Sequence, residues 1–419
     1  MLLRFRTANV RSLRDEQELS FAVPPDEESD AARAIRLSDG RQLDVYPVLG
    51  VFGANASGKS NVITALKKMK SAVLDSYGPW TSYTGVPERE PFALDAESQG
   101  QSTFYEADFV LEDGVRWTYG FELGDRRVEA EWLHAYPKGR RQVWLDRDAT
   151  RAGAYEFPGD RVHDRARLAR TTRPNALLLS RAASDNHPQL SRIYDWFRSN
   201  LWDITPETEL RDRENYTAEQ LLDAKKSDRV RELLRVADLG IQGAEVERRP
   251  GGRAPVVRLL HGSDRDSAVA LDWAKESYGT RSWFALIGPL LLALDSGAVL
   301  LVDELDASLH PKFASEVVRL FQAPWSNTKN AQLLFTSHDA SLLKSPRGGR
   351  LLEPGQIWLT EKDKRGATEL YPLSDFDPRP EEDLEDSYLA GAYGAVPNVD
   401  QGQIGRKVLT ALAGEAERS

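Results

Sequence analysis

The chain has 419 residues, 41% of them apolar and 29% charged, with a mean hydropathy of −0.50 and no cysteine. That size supports one large domain or two to three lobes, and the composition is too apolar for a disordered chain. Disulfides and thiolate metal sites are excluded, and a net charge of −10 argues against nucleic-acid binding by the whole surface, while leaving a local patch open. The longest apolar run, residues 283–294, is broken by Gly288 and Pro289 and falls short of the ~20 residues of a membrane helix. Residues 1–7 lack the succession of a secretory leader, so the expectation is a cytoplasmic protein without a membrane partner.

In chain order, period-two alternation at residues 3–10 and 19–23 around a charged turn predicts an N-terminal hairpin. An apolar run at 45–52 ends at Gly53, and apolar residues at helical spacing resume after Ser60: strand, glycine-bearing loop, helix. Residues 102–123, with a glycine-containing turn at Glu112-Asp113-Gly114, read as an antiparallel hairpin that continues in the same style through 130–144. Arg-rich and Leu-rich stretches between about 161 and 244 predict a helical insertion, and the missing heptad register excludes a long coiled-coil arm. Helix (281–294), strand (298–302), helix (311–322) and strand (331–336) then alternate, the pattern of a partly parallel sheet with crossover helices. The expected division is an N-terminal lobe at 1–160, the insertion at 161–245 and a C-terminal lobe at 246–419.

Gly53-Ala54-Asn55-Ala56-Ser57-Gly58-Lys59-Ser60, followed by Asn61, fits a phosphate-binding loop between strand and helix. Its glycines let successive N–H groups point at phosphate oxygens, and the helix start adds positive potential. Lys59 would reach the β and γ phosphates of ATP, and the Ser60 hydroxyl would bind Mg²⁺. The plain alternative is a helix start with no ligand. Farther on, Val299-Leu-Leu-Val runs into Asp303 and Glu304, as a parallel sheet delivers acids to its C-terminal edge. Asp303 would organise Mg²⁺ and Glu304 would polarise the attacking water, although paired acids also end strands as simple turn residues. His338 ends a third apolar strand, where either a γ-phosphate sensor or a structural histidine would stand.

More than half of the chain separates Lys59 from Asp303, and Ser277-Tyr278-Gly279-Thr280 opens a helix just upstream of the second strand. It offers a second set of helix-start N–H groups, or else an ordinary N-cap. This tetrad resembles the signature motif of ATP-binding-cassette (ABC) ATPases. Together with the phosphate loop, Asp303-Glu-Leu-Asp-Ala-Ser-Leu-His-Pro and Thr336-Ser-His-Asp, it makes the chain similar to the stand-alone ABC-type ATPases of prokaryotic defence islands, relatives of SMC and RecF heads and of the ATPase half of OLD nucleases. The likeness reaches Phe5-Arg-Thr-Ala-Asn-Val-Arg-Ser-Leu near one end and Tyr388-Leu-Ala-Gly-Ala-Tyr-Gly near the other, and matches the insertion least. It implies an α/β fold of ABC-head type: a mixed sheet with a phosphate-loop core, an antiparallel β lobe and a helical insertion.

The same resemblance implies that Ser277, Gly279 and Thr280 act in trans on ATP held by a second subunit, and that Asp306 belongs to the loop crossing that interface. No glutamine stands out as a Q-loop residue; Gln99 and Gln101 are the nearest candidates. The expected function is ATP hydrolysis by a homodimer or higher homo-oligomer that controls a separately encoded effector, such as a Toprim-like nuclease, in anti-phage defence. The alternatives are a repair or recombination ATPase clamping DNA directly, and an ATP-gated sensor or scaffold with little turnover. Arginines 161, 165, 167, 170 and 173 leave a nucleic-acid contact open against the plainer reading of a solvated helix face.

Overall fold

The computed structural model describes residues 1–204, 210–236, 240–248, 254–262, 268–307, 309–344, 349–397, 402–403 and 405–406. At its centre is a six-stranded sheet in the order Leu201–Ile204, Val299–Val302, Gln332–Ser337, Val48–Gly53, Ile357–Lys362, Thr368–Pro372. The first five strands are parallel and the last is antiparallel to its neighbour. Val48–Gly53, Val299–Val302 and Gln332–Ser337 are buried at every position, which is why they read as continuous apolar runs. Because these strands are parallel, Gly53, Asp303 and His338 all emerge at one edge of the sheet.

Alternate side chains of the sheet feed two cores. Leu49, Val51, Leu301 and Leu334 point to one face, while Val48, Phe52, Leu300, Val302, Leu333 and Phe335 point to the other. On the first face lie the phosphate-loop helix Lys59–Asp75 and a seven-stranded antiparallel sheet that includes Leu2–Ala8, Thr103–Val110, Arg116–Leu123 and Val128–Ala135. On the second face the signature helix Tyr278–Ser296 and the helix Pro311–Gln322 pack against the sheet. Ser277 caps the signature helix by accepting from the Thr280 N–H, and Gly297, in the left-handed region, ends it.

Segment 161–245 supplies the five helices Arg165–Thr171, Leu178–Ser184, Ser191–Asn200, Leu210–Leu222 and Ser227–Val236. It also holds the edge strand Leu201–Ile204 of the central sheet, and the strand Ile241–Glu247 begins within it. The first three helices join the first core, where Phe109 stacks on Trp196 at 4.1 Å between ring centroids. Glu131, fully buried on the antiparallel sheet, accepts from the backbone N–H groups of Leu178 and Leu179 at 2.8 and 3.1 Å and from the Tyr119 hydroxyl at 3.0 Å. Arg147 lies 3.4 Å from the same carboxylate, so the buried charge is paired and its lone pairs are used. The helix Leu210–Leu222 crosses the signature helix at Gly288, where an added Cβ would stand 2.5 Å from Thr217 Oγ1. Gly288 and the following Pro289 thus mark a close approach of two helices.

Candidate functional site

The phosphate loop leaves the central strand at Gly53 and enters its helix through Gly58, whose φ of 113° lies in the left-handed region. An added Cβ at Gly58 would stand 2.2 Å from Thr368 Oγ1, so both conformation and space require glycine. Ala56 also has a positive φ, 63°, and with Asn55 forms the exposed crest of the loop. No side chain caps the helix, and the Asn61 N–H donates to the Gly58 carbonyl at 2.9 Å, so the first-turn N–H groups of Lys59 and Ser60 are the ones without a capping side chain.

Side chains far away in sequence brace the loop from below. Ser57 Oγ lies 2.6 Å from Thr360 Oγ1, and Thr368 Oγ1 donates to the Ser57 carbonyl at 2.7 Å. Ser12 Oγ sits 2.7 Å from Thr368 Oγ1 and accepts from Asn61 Nδ2 at 2.6 Å, while Arg11 donates to Asn61 Oδ1 at 3.2 Å. Ser12, Thr360 and Thr368 were not singled out by the sequence. The only signal for Ser12 is its place in the N-terminal stretch 5–13, and the two threonines carry none, because only the sheet order brings them under the loop.

Lys59 is buried and folds back over the loop, donating to the carbonyls of Gly53 and Ala54 at 2.8 and 3.1 Å. Burial pushes its ammonium below the ordinary lysine value, while the field of Asp306, Glu304 and Asp303 pushes in the opposite direction. The loop lysine and the three acids therefore share one electrostatic neighbourhood. Asp303 Oδ1 accepts from the Thr336 hydroxyl at 2.6 Å, and the exposed Glu304 has a left-handed φ of 55°. His338 Nδ1 lies 3.0 Å from Asp306 Oδ2; the Asp306 side chain is 5% exposed and the imidazole 54%. Ser308, within the same acidic motif, lies outside the described residues.

Among the described residues no hydrogen bond joins Ser277, Gly279 or Thr280 to residues 53–61, and Thr280 is buried. Ser277 Oγ is engaged with Thr280, and its residue is exposed beside Tyr278. A narrow crevice runs from Tyr278 and Ser282 to Asp303 and Glu304 of the same chain. Gln99 donates to the Ala93 carbonyl at 2.9 Å and Gln101 to Glu97 at 3.3 Å, and neither is bonded to an acid of the site. Gln99 instead borders an open depression of about 830 Å³ lined by Arg11, Ser12, Glu90, Phe92 and Lys362. The arginine cluster is largely engaged within the chain: Arg165 pairs with Asp160, Arg167 with Asp185 at 2.9 Å, and Arg173 donates to the Ser76 and Tyr77 carbonyls.

Among the described residues, no group of three or more His, Asp or Glu could hold a metal by itself, and no helix is long and apolar enough to cross a membrane. The two ligands expected from the sequence, the Asp303 carboxylate and the Ser60 hydroxyl, would offer hard oxygens. They fit Mg²⁺, which takes few protein ligands beside phosphate oxygens and water.

No curated protein matches the chain in sequence. Among solved structures it is similar to the SMC head domain from Thermotoga maritima, at 14% identity, over 88% of this chain and 98% of that one, with a TM-score of 0.41. It is also similar to the Smc head domain with an extended coiled coil bound to the C-terminal domain of ScpA, derived from Pyrococcus furiosus (12% identity, 90% and 97% covered, TM-score 0.43). A third similar structure is cbiO1 from Clostridium perfringens, part of the ABC transporter complex cbiONQ (9% identity, 94% and 96% covered, TM-score 0.31). The family described as "AAA domain, putative AbiEii toxin, Type IV TA system" matches residues 48–344, from the phosphate-loop strand past His338. The chain belongs to this family of AAA domains.

Proposed function

We propose that this chain hydrolyses ATP with Mg²⁺, that two copies pair around two ATP molecules, and that this closure controls a separately encoded effector. The observation that carries the reading is the shared sheet edge, where Lys59 lies in the field of Asp303, Glu304 and Asp306. Gly53, Asn55, Ala56, Ser57, Gly58 and Asn61 form the cradle for the phosphates, and Lys59 offsets their charge once it releases the Gly53 and Ala54 carbonyls. Ser60 and Asp303 would hold Mg²⁺, which supplies charge neutralisation at the β and γ phosphates. Glu304, exposed and aimed by its left-handed turn, is the group to orient and deprotonate water, and His338 meets the γ-phosphate.

Ser277, Gly279 and Thr280 complete the site of a second copy, with Asp306 at the seam. The lack, among the described residues, of any hydrogen bond between them and the chain's own loop supports this reading, as does the exposure of Ser277 and Tyr278 at the helix start. The effector as a Toprim-like nuclease and the setting as anti-phage defence rest on the resemblance. The family's description, which names a toxin and a toxin–antitoxin system, agrees with a protein that works through a partner. Sizing the complex purified from its native operon tests the effector.

Lys59→Ala tests the core of the proposal. Turnover of ATP should fall about 100-fold or more, because a charge that meets the transferring phosphoryl group is lost. The Tm should stay within a few degrees, since the hydrogen bonds of the ammonium among the described residues go to the Gly53 and Ala54 carbonyls of the loop. An unchanged ATPase rate would sink the assignment of the loop.

A further inference from the structure

Building on the ATPase reading above, we propose that Thr336 is a positioning residue for hydrolysis, aiming Asp303 through its hydroxyl and setting Glu304 through the main chain. Thr336 is fully buried one residue before the end of the strand Gln332–Ser337. Its Oγ1 lies 2.6 Å from Asp303 Oδ1 and 2.7 Å from the Glu304 backbone nitrogen. An ionised carboxylate only accepts and a backbone N–H only donates, so the direction of both bonds is settled. Glu304 N–H donates to the hydroxyl, and the hydroxyl donates to Asp303. The Thr336 carbonyl accepts from the Leu305 N–H at 3.0 Å. Three consecutive residues of the acidic loop therefore hang on one threonine.

Two consequences follow. With Oδ1 committed to Thr336, the Asp303 carboxylate has one fixed orientation and its second oxygen is the one left for a ligand. The left-handed backbone at Glu304, unusual for a residue with a side chain, is held on both sides by the bonds of Glu304 and Leu305 to Thr336. Valine would keep the shape of Thr336 and lose the hydroxyl, which frees Asp303 to rotate and strands the Glu304 N–H. Serine would keep both bonds. A merely structural hydroxyl would lower stability alike with and without metal, whereas an aiming hydroxyl changes how much Mg²⁺ the site requires.

The experiment uses the full chain as wild type, Thr336→Val and Thr336→Ser. It measures ATP hydrolysis against Mg²⁺ concentration, and the rise in Tm on adding ATP in Mg²⁺ or in EDTA. The valine variant should need about tenfold more Mg²⁺ for half-maximal rate and lose about tenfold or more in kcat, the usual cost of removing a partner that orients a metal ligand. Its ATP-induced Tm rise should shrink in Mg²⁺ and equal wild type's in EDTA, and the serine variant should restore the Mg²⁺ requirement to within about threefold. If the valine variant does not fold, Thr336→Ala takes its place in the same titration. A wild-type Mg²⁺ requirement and kcat without the hydroxyl, or a serine variant as impaired as valine, overturns the inference. If wild type shows neither turnover nor a Mg²⁺-ATP shift in Tm, the ATPase reading falls and this inference with it.

Discussion

Asp306 and His338 meet within one chain, a contact that the sequence did not suggest and that stands beside the interface role expected of the aspartate. Asp306 Oδ2 lies 3.0 Å from His338 Nδ1, while Asp306 Oδ1 is buried with no hydrogen-bond partner among the described residues. Bonded at Nδ1, the imidazole keeps Nε2 for the phosphate side. Asp306→Ala should lower kcat about tenfold with less than about threefold change in KM for ATP, as expected for an orienting group that does not touch substrate. His338→Ala combined with Asp306→Ala should be no worse than His338→Ala alone in a steady-state double-mutant cycle. Additive losses would show that the two act separately. The phosphate loop, the acid pair and His338 were legible because each motif is contiguous and ends a strand. Thr336, Thr360 and Thr368 were not, because their partners are fixed by strand order and register.

Among the elements, the edge strand Leu201–Ile204 shows how little sequence signal a short strand gives. Four residues, Leu201-Trp-Asp-Ile, sit between helical stretches, and what makes them a strand is parallel pairing with Val299–Val302. By contrast, the helix Pro311–Gln322 was legible end to end: Pro311 suits the first turn and His310 caps it. The signature helix starts at Tyr278 with Ser277 as its cap, as the tetrad Ser277–Thr280 suggests, although the apolar periodicity alone becomes readable only from 281. The edge strand also ties the sheet to the phosphate-loop helix. Asp203 lies 2.9 Å from Lys67 Nζ and 3.3 Å from Lys70 Nζ. Burial would raise its carboxyl, but the two lysines outweigh burial and leave it below the usual value. A carboxyl depressed in the folded state stabilises fully above its unfolded value of about 3.9, and the contribution disappears as pH falls through the folded one. Asp203→Asn should therefore cost about 1 to 3 kcal/mol in urea unfolding at pH 7, with the gap to wild type closing below about pH 4. A gap that stays constant down to pH 3 would mean that the ion pairs do not contribute.

At the scale of the molecule, one sheet divides two cores and presents loop, acids and histidine on one edge, and Ser277 and Tyr278 are exposed at the start of the signature helix. Tyr278, at 55%, and Glu304 are both exposed, and among the described residues no hydrogen bond joins Ser277, Gly279 or Thr280 to residues 53–61 of their own chain. If two copies complete each other's sites, activity must follow composite rules. Glu304→Gln keeps the shape of the acid but cannot take a proton, so ATP should accumulate with the chain held as a dimer. Gly279→Arg places a long charged side chain at the signature helix start and should block closure on the facing nucleotide. Each variant alone should be inactive. In a 1:1 mixture, half of the dimers are mixed, and each mixed dimer contains one site with an intact Glu304 from one chain facing an intact Gly279 from the other. The rate should therefore recover to about a quarter of wild type, from the statistics of a two-fold assembly. Size-exclusion chromatography with ATP should show the Glu304→Gln dimer before mixing. No recovery on mixing, with that dimer present, would place both residues in the same site of one chain, whereas the absence of any ATP-dependent change in size for Glu304→Gln would remove the head-to-head clamp itself.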